Sequence, residues 1–152
     1  MAYTSESARK QLLDQLAVAI DQLAIALASL GEAYEEVDER SGEALEERLF
    51  RPVQMAYSRA RRTYADFAQR QELPGRSFSP ASPGTHSADP RVHMQRALEA
   101  VERADHVVAE MQDSMLPVEV GDRELRDGLT ETRELIAAVP GRGRQLLRVI
   151  GR

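Results

Sequence analysis

The sequence predicts an all-α protein: an antiparallel four-helix bundle with a short fifth helix at its C-terminal end. Three observations lead there. Leu13, Leu16, Ile20, Leu23, Leu27, Leu30, Tyr34 and Val37 follow a strict alternation of three- and four-residue steps. That spacing is the dry seam of a coiled-coil-like helix. Asp89-Pro90 pairs a favoured N-cap with the residue best suited to the first helical position. Six of the 7 prolines fall between periodic segments rather than inside them.

The first helix is expected over residues 5–39, about 50 Å at 1.5 Å per residue. Ala17, Ala24 and Gly31 flank its seam on one side, and Ala19, Ala26 and Ala33 on the other. Such small flanks predict close approach of neighbouring helices. Ser41-Gly42 is read as the turn. The second helix follows to Gln71, with Glu43, Glu46 and Glu47 near its start, where carboxylates suit the helix dipole. Its seam is Leu49, Val53, Ala56, Ala60, Thr63 and Phe67, with Phe50, Tyr57 and Tyr64 in a second stripe. Pro52 predicts either a kink or a true start after a separate turn.

Residues 73–88 read as a Pro-, Gly- and Ser-rich loop with no period. Fully extended, it reaches about 53 Å. The bundle is therefore either up-down-up-down or built with a long crossover between its second and third helices. The third helix, from Pro90, turns Met94, Ala97, Val101, Ala104, Val108, Met111 and Met115 inward. Pro117 and Gly121 bracket the next turn, and Asp122 caps a fourth helix running to Val139, where Pro140-Gly141 ends it. A basic amphipathic tail, residues 141–152, holds the last short helix near Arg144 to Ile150, with Arg142, Arg144, Arg148 and Arg152 as its charges. The whole of 1–152 is read as one domain, since 152 residues suffice for a core without disulfide or metal.

Composition narrows the function. With 0 cysteines there is no disulfide framework and no thiol nucleophile or thiolate metal site. The polar start, MAYTSESARKQ, has no signal-peptide pattern. Asp14 and Asp21 interrupt the most apolar run, which argues against a membrane span. A cytoplasmic protein is expected. The net charge of −5 argues against nucleic acid as a partner.

Four helices with a long second connection have an outline similar to that of ferritin-like proteins, but no Glu-x-x-His is present to supply di-iron ligands. Of 3 histidines, His86 lies in the loop, while His93 and His106 diverge by about 220° on their helix and cannot share a metal. No cofactor is expected. The acidic tip carries Glu32, Glu35, Glu36, Asp38, Glu39, Glu43, Glu46 and Glu47 against Arg40. Its string LGEAYEEVDE resembles the first acidic motif of helical nucleotide pyrophosphatases, which implies Mg²⁺ held by paired carboxylates, with Glu35, Glu39 and Glu43 as metal candidates. Their second motif, Glu-x-x-Asp on the following helix, is missing; Glu102-x-x-Asp105 has the spacing but stands on the third helix. Glu32, Glu35, Glu36 and Glu39 lie opposite the leucine seam, whereas a catalytic metal needs converging oxygens in a cavity. An enzyme is therefore not the favoured reading.

Nucleic-acid binding is a further alternative, through Arg59, Arg61, Arg62, Arg70 and Arg76 and through Arg142-Gly143-Arg144, the three-residue core of a minor-groove hook. The preferred reading is an interaction or structural protein. Val18 and Ile25 lie opposite the seam and, with Ala28, leave the middle of the first helix apolar nearly all round. Such a helix is normally covered on every side. A second copy of the chain is the expected cover, so a homodimer is the expected assembly; any other protein partner is left undefined. Tyr57 and Tyr64 with Arg61 form a secondary candidate surface.

Overall fold

A computed structural model describes residues 2–82, 84 and 87–150, with side chains described from Glu6 onward. Its elements are α1 (Ala2–Glu35), α2 (Glu39–Leu45), a π-helical turn (Glu46–Phe50), α3 (Arg51–Arg70), α4 (Pro90–Asp113), α5 (Leu116–Val120), α6 (Arg123–Ile136) and α7 (Val139–Val149). The protein is all-helical, with no strand among the described residues.

The leucine seam of α1 is buried over most of its length. Leu13, Leu16, Ile20, Leu23 and Leu30 are buried, Leu27 is half-buried, and Leu12, Ala19, Ala26 and Ala33 beside the seam are wholly removed from water. The most extensive partner of α1 is α4. The two helices run antiparallel: Arg103 of α4 donates to Gln22 at 2.8 Å, and Pro90 shares a cavity with Glu36. α3 also runs antiparallel to α1, with Gln71 receiving a hydrogen bond from Arg9 at 3.0 Å. α6 packs along α3 and against α4. At Gly128 of α6 the packing leaves no room for a Cβ, which would overlap the Thr63 side chain of α3. That close approach is why a helix interior carries glycine there.

Several boundaries differ from the expected ones, for local reasons. α1 stops at Glu35, and Asp38 rather than Ser41-Gly42 manages the reversal. The Asp38 carboxylate accepts from the Ser41 N–H at 2.7 Å, which draws Ser41 and Gly42 into the first turn of α2. Gly42 then lies against the Tyr34 ring, 3.2 Å from where a Cβ would stand. Tyr34, expected inward, is 46% exposed, because the seam ends where the chain reverses. Met115 is 54% exposed for a similar reason: it adopts φ +66° and breaks α4 from α5. Pro140-Gly141 does not terminate α6. α6 ends at Ile136, and Pro140 stands in the first turn of α7. Asp89 and Asp122 cap α4 and α6 as expected, accepting from Arg91 N–H at 2.9 Å and Leu125 N–H at 2.8 Å.

Pro52 stands in the first turn of α3, which begins after the separate π-helical turn, one of the two expected outcomes. The backbone stays helical at Leu45, Phe50 and Arg51, and the Arg51 N–H reaches back five residues to the Glu46 carbonyl. Proline lacks the N–H that would serve the Arg48 carbonyl. Arg142 of α7 donates to that carbonyl at 3.4 Å instead.

The 71–89 connection runs the length of the molecule. It leaves α3 beside Arg9, passes Asp21 through an Arg76 ion pair at 3.0 Å, and lays Phe78 edge-on against Tyr64 with centroids 5.1 Å apart. It enters α4 where His93 Nε2–H donates to the Ser87 carbonyl at 2.8 Å. Within α1, Glu6–Glu35 is long and apolar enough to cross a membrane by length and composition, but 56% of its most apolar stretch is buried inside the protein.

Candidate functional site

The end of the molecule where α1 reverses into α2 concentrates the features that packing leaves unused. The π-turn widens the helix by one residue per turn, an irregularity frequent at functional sites. Beside it lies a half-open cavity of about 310 Å³ lined by Gly31, Tyr34, Glu35, Leu45, Glu46 and Phe50. A second depression of about 690 Å³ lies between Val37, Ala44, Pro90, Leu146, Val149 and Ile150, with Glu36 and Asp38 at its edge.

This end is acidic, with Arg40 beside Asp38. Among the described residues, Glu32, Glu35, Glu36, Glu39, Glu43, Glu46 and Glu47 enter none of the ion pairs. The metal candidates Glu35, Glu39 and Glu43 are all exposed, and no group of three or more His, Asp or Glu is placed to hold a metal ion among the described residues. Glu102 and Asp105, the displaced second motif, are tied to Arg144 and Arg133 at 3.4 and 2.9 Å.

Most of the arginines singled out in the sequence are engaged inside the protein. Arg59 pairs with Glu131 at 2.6 Å, Arg70 with Asp122 at 2.7 Å and Glu124 at 2.6 Å, and Arg76 with Asp21. The hydrogen bond from Arg59 holds the Glu131 carboxyl below its ordinary range. Burial pushes the Asp122 carboxyl up, but bonds from Arg70, the Leu125 N–H and Gln71 outweigh it and leave the group below its ordinary range. Arg142-Gly143-Arg144 lies inside α7 rather than in an extended hook. A Cβ on Gly143 would overlap Leu98, so this glycine serves helix packing. Arg148 is exposed; His86 and Arg152 lie outside the described residues.

The aromatic candidates divide. Tyr64 is buried against Phe78, and burial raises its hydroxyl above the ordinary range. It is therefore a core residue, not a contact surface. Tyr57 is half-buried, with the Arg61 guanidinium 5.2 Å from its ring centre. On α1, Ile25 is half-buried and packed against the core, while Val18 is 49% exposed. Val18 sits in a shallow groove of about 480 Å³ with Gln22 of α1 and Glu99, Glu102, Arg103, His106 and Val107 of α4. Sequence reasoning found Val18 but missed the α4 side of this groove. The signal was present, since Glu99, Glu102, Arg103 and His106 recur at the steps of one helix face.

The chain matches no family model, no curated protein sequence and no solved structure.

Proposed function

We propose that this chain is a non-catalytic interaction protein, an up-down-down-up four-helix bundle that pairs with a second copy of itself across the outer face of α1 and α4. The observation that carries the reading is the charge order around Val18. Along one face of α4 the residues run Glu99, Glu102, Arg103, His106. Reversed about the midpoint between 102 and 103, acid falls on base at both levels: Glu102 meets Arg103 of the other copy, and Glu99 meets His106. A two-fold dimer interface must be self-complementary in just this way. Val18 and the half-buried Val107 supply an apolar centre between the charged positions. The existing contacts of Glu102 with Arg144, Arg103 with Gln22 and His106 with Glu110 lie at the surface and exchange at little cost.

Sedimentation velocity tests the proposal. The wild type is expected at twice the 16.9 kDa chain mass. Arg103→Glu places like charges across the axis and is expected to give monomers; adding Glu102→Arg restores opposite signs and the dimer. Val18→Glu is expected to dissociate it with unchanged helicity. A wild type that stays monomeric to about 100 μM, a modest affinity threshold, overturns the reading.

A further inference from the structure

The cavity beside the π-turn is independent of that interface, and its lining specifies a ligand class. Gly31 lies near the C-terminal end of α1, four residues before Glu35, where glycine still lowers helix propensity by up to about 1 kcal/mol relative to alanine. Two other helical glycines have a steric reason, since a Cβ at Gly128 or Gly143 would overlap a neighbouring side chain, whereas Gly141, in the first turn of α7, has none. At Gly31 a Cβ would meet nothing within 4 Å. The missing side chain keeps the cavity floor open instead of admitting another helix, which was the expectation for this flank of α1.

The walls carry two kinds of group. Tyr34, Phe50 and Leu45 supply apolar surface to the lining, two of them as aromatic rings, whose faces are electron-rich. Glu35 and Glu46 stand among them, and neither has an ion-pair partner among the described residues. The π-turn contributes Glu46 and Phe50 at its two ends. Carboxylates beside aromatic faces suit a cation that brings its own apolar surface. A bare divalent ion instead requires several converging oxygens. The volume, about 310 Å³, stands at the lower end of the range for small-molecule sites.

We propose that this cavity binds a small organic ammonium ion, its alkyl groups against Tyr34 and Phe50 and its charge between Glu35 and Glu46. The probes are choline and its uncharged isostere 3,3-dimethylbutan-1-ol, titrated into isotopically labelled full-length protein and followed by amide chemical shifts. Choline is expected to give saturable shifts centred on Gly31, Tyr34, Leu45 and Phe50, with affinity in the range of about 1 mM or tighter. The neutral isostere is expected to bind at least about tenfold more weakly, because only the cation gains from the carboxylates and ring faces. The double variant Glu35→Gln, Glu46→Gln is expected to lose a similar factor. Gly31→Met fills the floor, leaves the far-ultraviolet circular dichroism unchanged and abolishes the shifts. Equal binding of the two probes, the absence of saturable shifts, or shifts that persist in Gly31→Met and spread over Glu36, Glu39 and Glu43, each overturns the proposal. None of these outcomes depends on whether the chain is a dimer.

Discussion

Two helix-interior glycines predict opposite effects from the same substitution. Gly128→Ala drives a methyl into Thr63, whose hydroxyl is already held by the Arg59 carbonyl and guanidinium at 2.8 Å. Overpacking of this kind costs about 1–3 kcal/mol, more than the helix-propensity gain of roughly 1 kcal/mol. Gly31→Ala meets open space, so only the propensity gain remains and stability rises. Urea denaturation of the two variants checks both signs. Asp122 predicts a pH dependence. Its carboxyl is buried, caps α6 and receives Arg70 and Gln71, and its folded-state pKa is lowered. The unfolded chain then binds the proton more readily, so the stabilisation is complete above the ordinary value of 3.8 and is lost as pH falls through the lower folded value. Asp122→Ala removes a cap and a charge-assisted pair together, costing about 2–3 kcal/mol at neutral pH. The loss of stability as pH falls below the ordinary carboxylate value, followed by denaturant midpoints, is expected to be shallower in the variant.

At the scale of elements, the clearest signals were those complete within a few residues. Asp89-Pro90 and Asp122 marked helix starts because capping needs only the side chain and the next turn. The leucines of α1 marked a buried face because their period matches the helix. The π-turn was not legible, since the partner of the Arg48 carbonyl beside Pro52 is Arg142, which arrives from another helix. The lining of the Gly31 cavity was equally hidden: Gly31 reads like any small flanking residue until its Cβ direction is known. The path of the 71–89 connection depends on which ends it joins, and loop composition does not encode that. Its length does make a prediction. Between Arg9 and Glu36, the levels it connects, α1 rises about 40 Å. Deleting residues 75–85 leaves a reach of about 30 Å, too short to close. That deletion is expected to abolish the native fold or to exchange helices between copies. A Gly/Ser replacement of equal length removes the Arg76 and Phe78 contacts as well, yet keeps the span. It is expected to retain the helical circular dichroism with a lower melting temperature. If the deletion keeps the wild-type fold without exchanging helices, the crossover is misassigned.

Across the whole molecule, charge is distributed unevenly. The ion pairs cluster along α3, α4 and α6, where Arg59, Arg70, Arg133 and Arg144 meet carboxylates, while the α1–α2 end keeps its glutamates unpaired. Glu39, Glu43 and Glu47 follow one another at four-residue steps, the spacing at which like charges on a helix repel. Packing in the hydrophobic core must therefore hold together an end that electrostatics pushes apart. Salt screens exposed charges over about 10 Å at 0.1 M and much less at higher concentration. Raising the salt should relieve this repulsion more than it weakens the close pairs elsewhere, which are short and partly shielded, such as Arg70–Asp122 at 2.7 Å. The melting temperature is accordingly expected to rise with sodium chloride by a few degrees, the scale of a modest stability change in a domain this size. The triple variant Glu39→Gln, Glu43→Gln, Glu47→Gln should start higher at low salt and gain less from it. Arg59→Gln, which breaks a pair instead of relieving repulsion, should start lower. A wild type whose melting temperature falls with salt would mean that the pairs, not the acidic end, dominate its electrostatics.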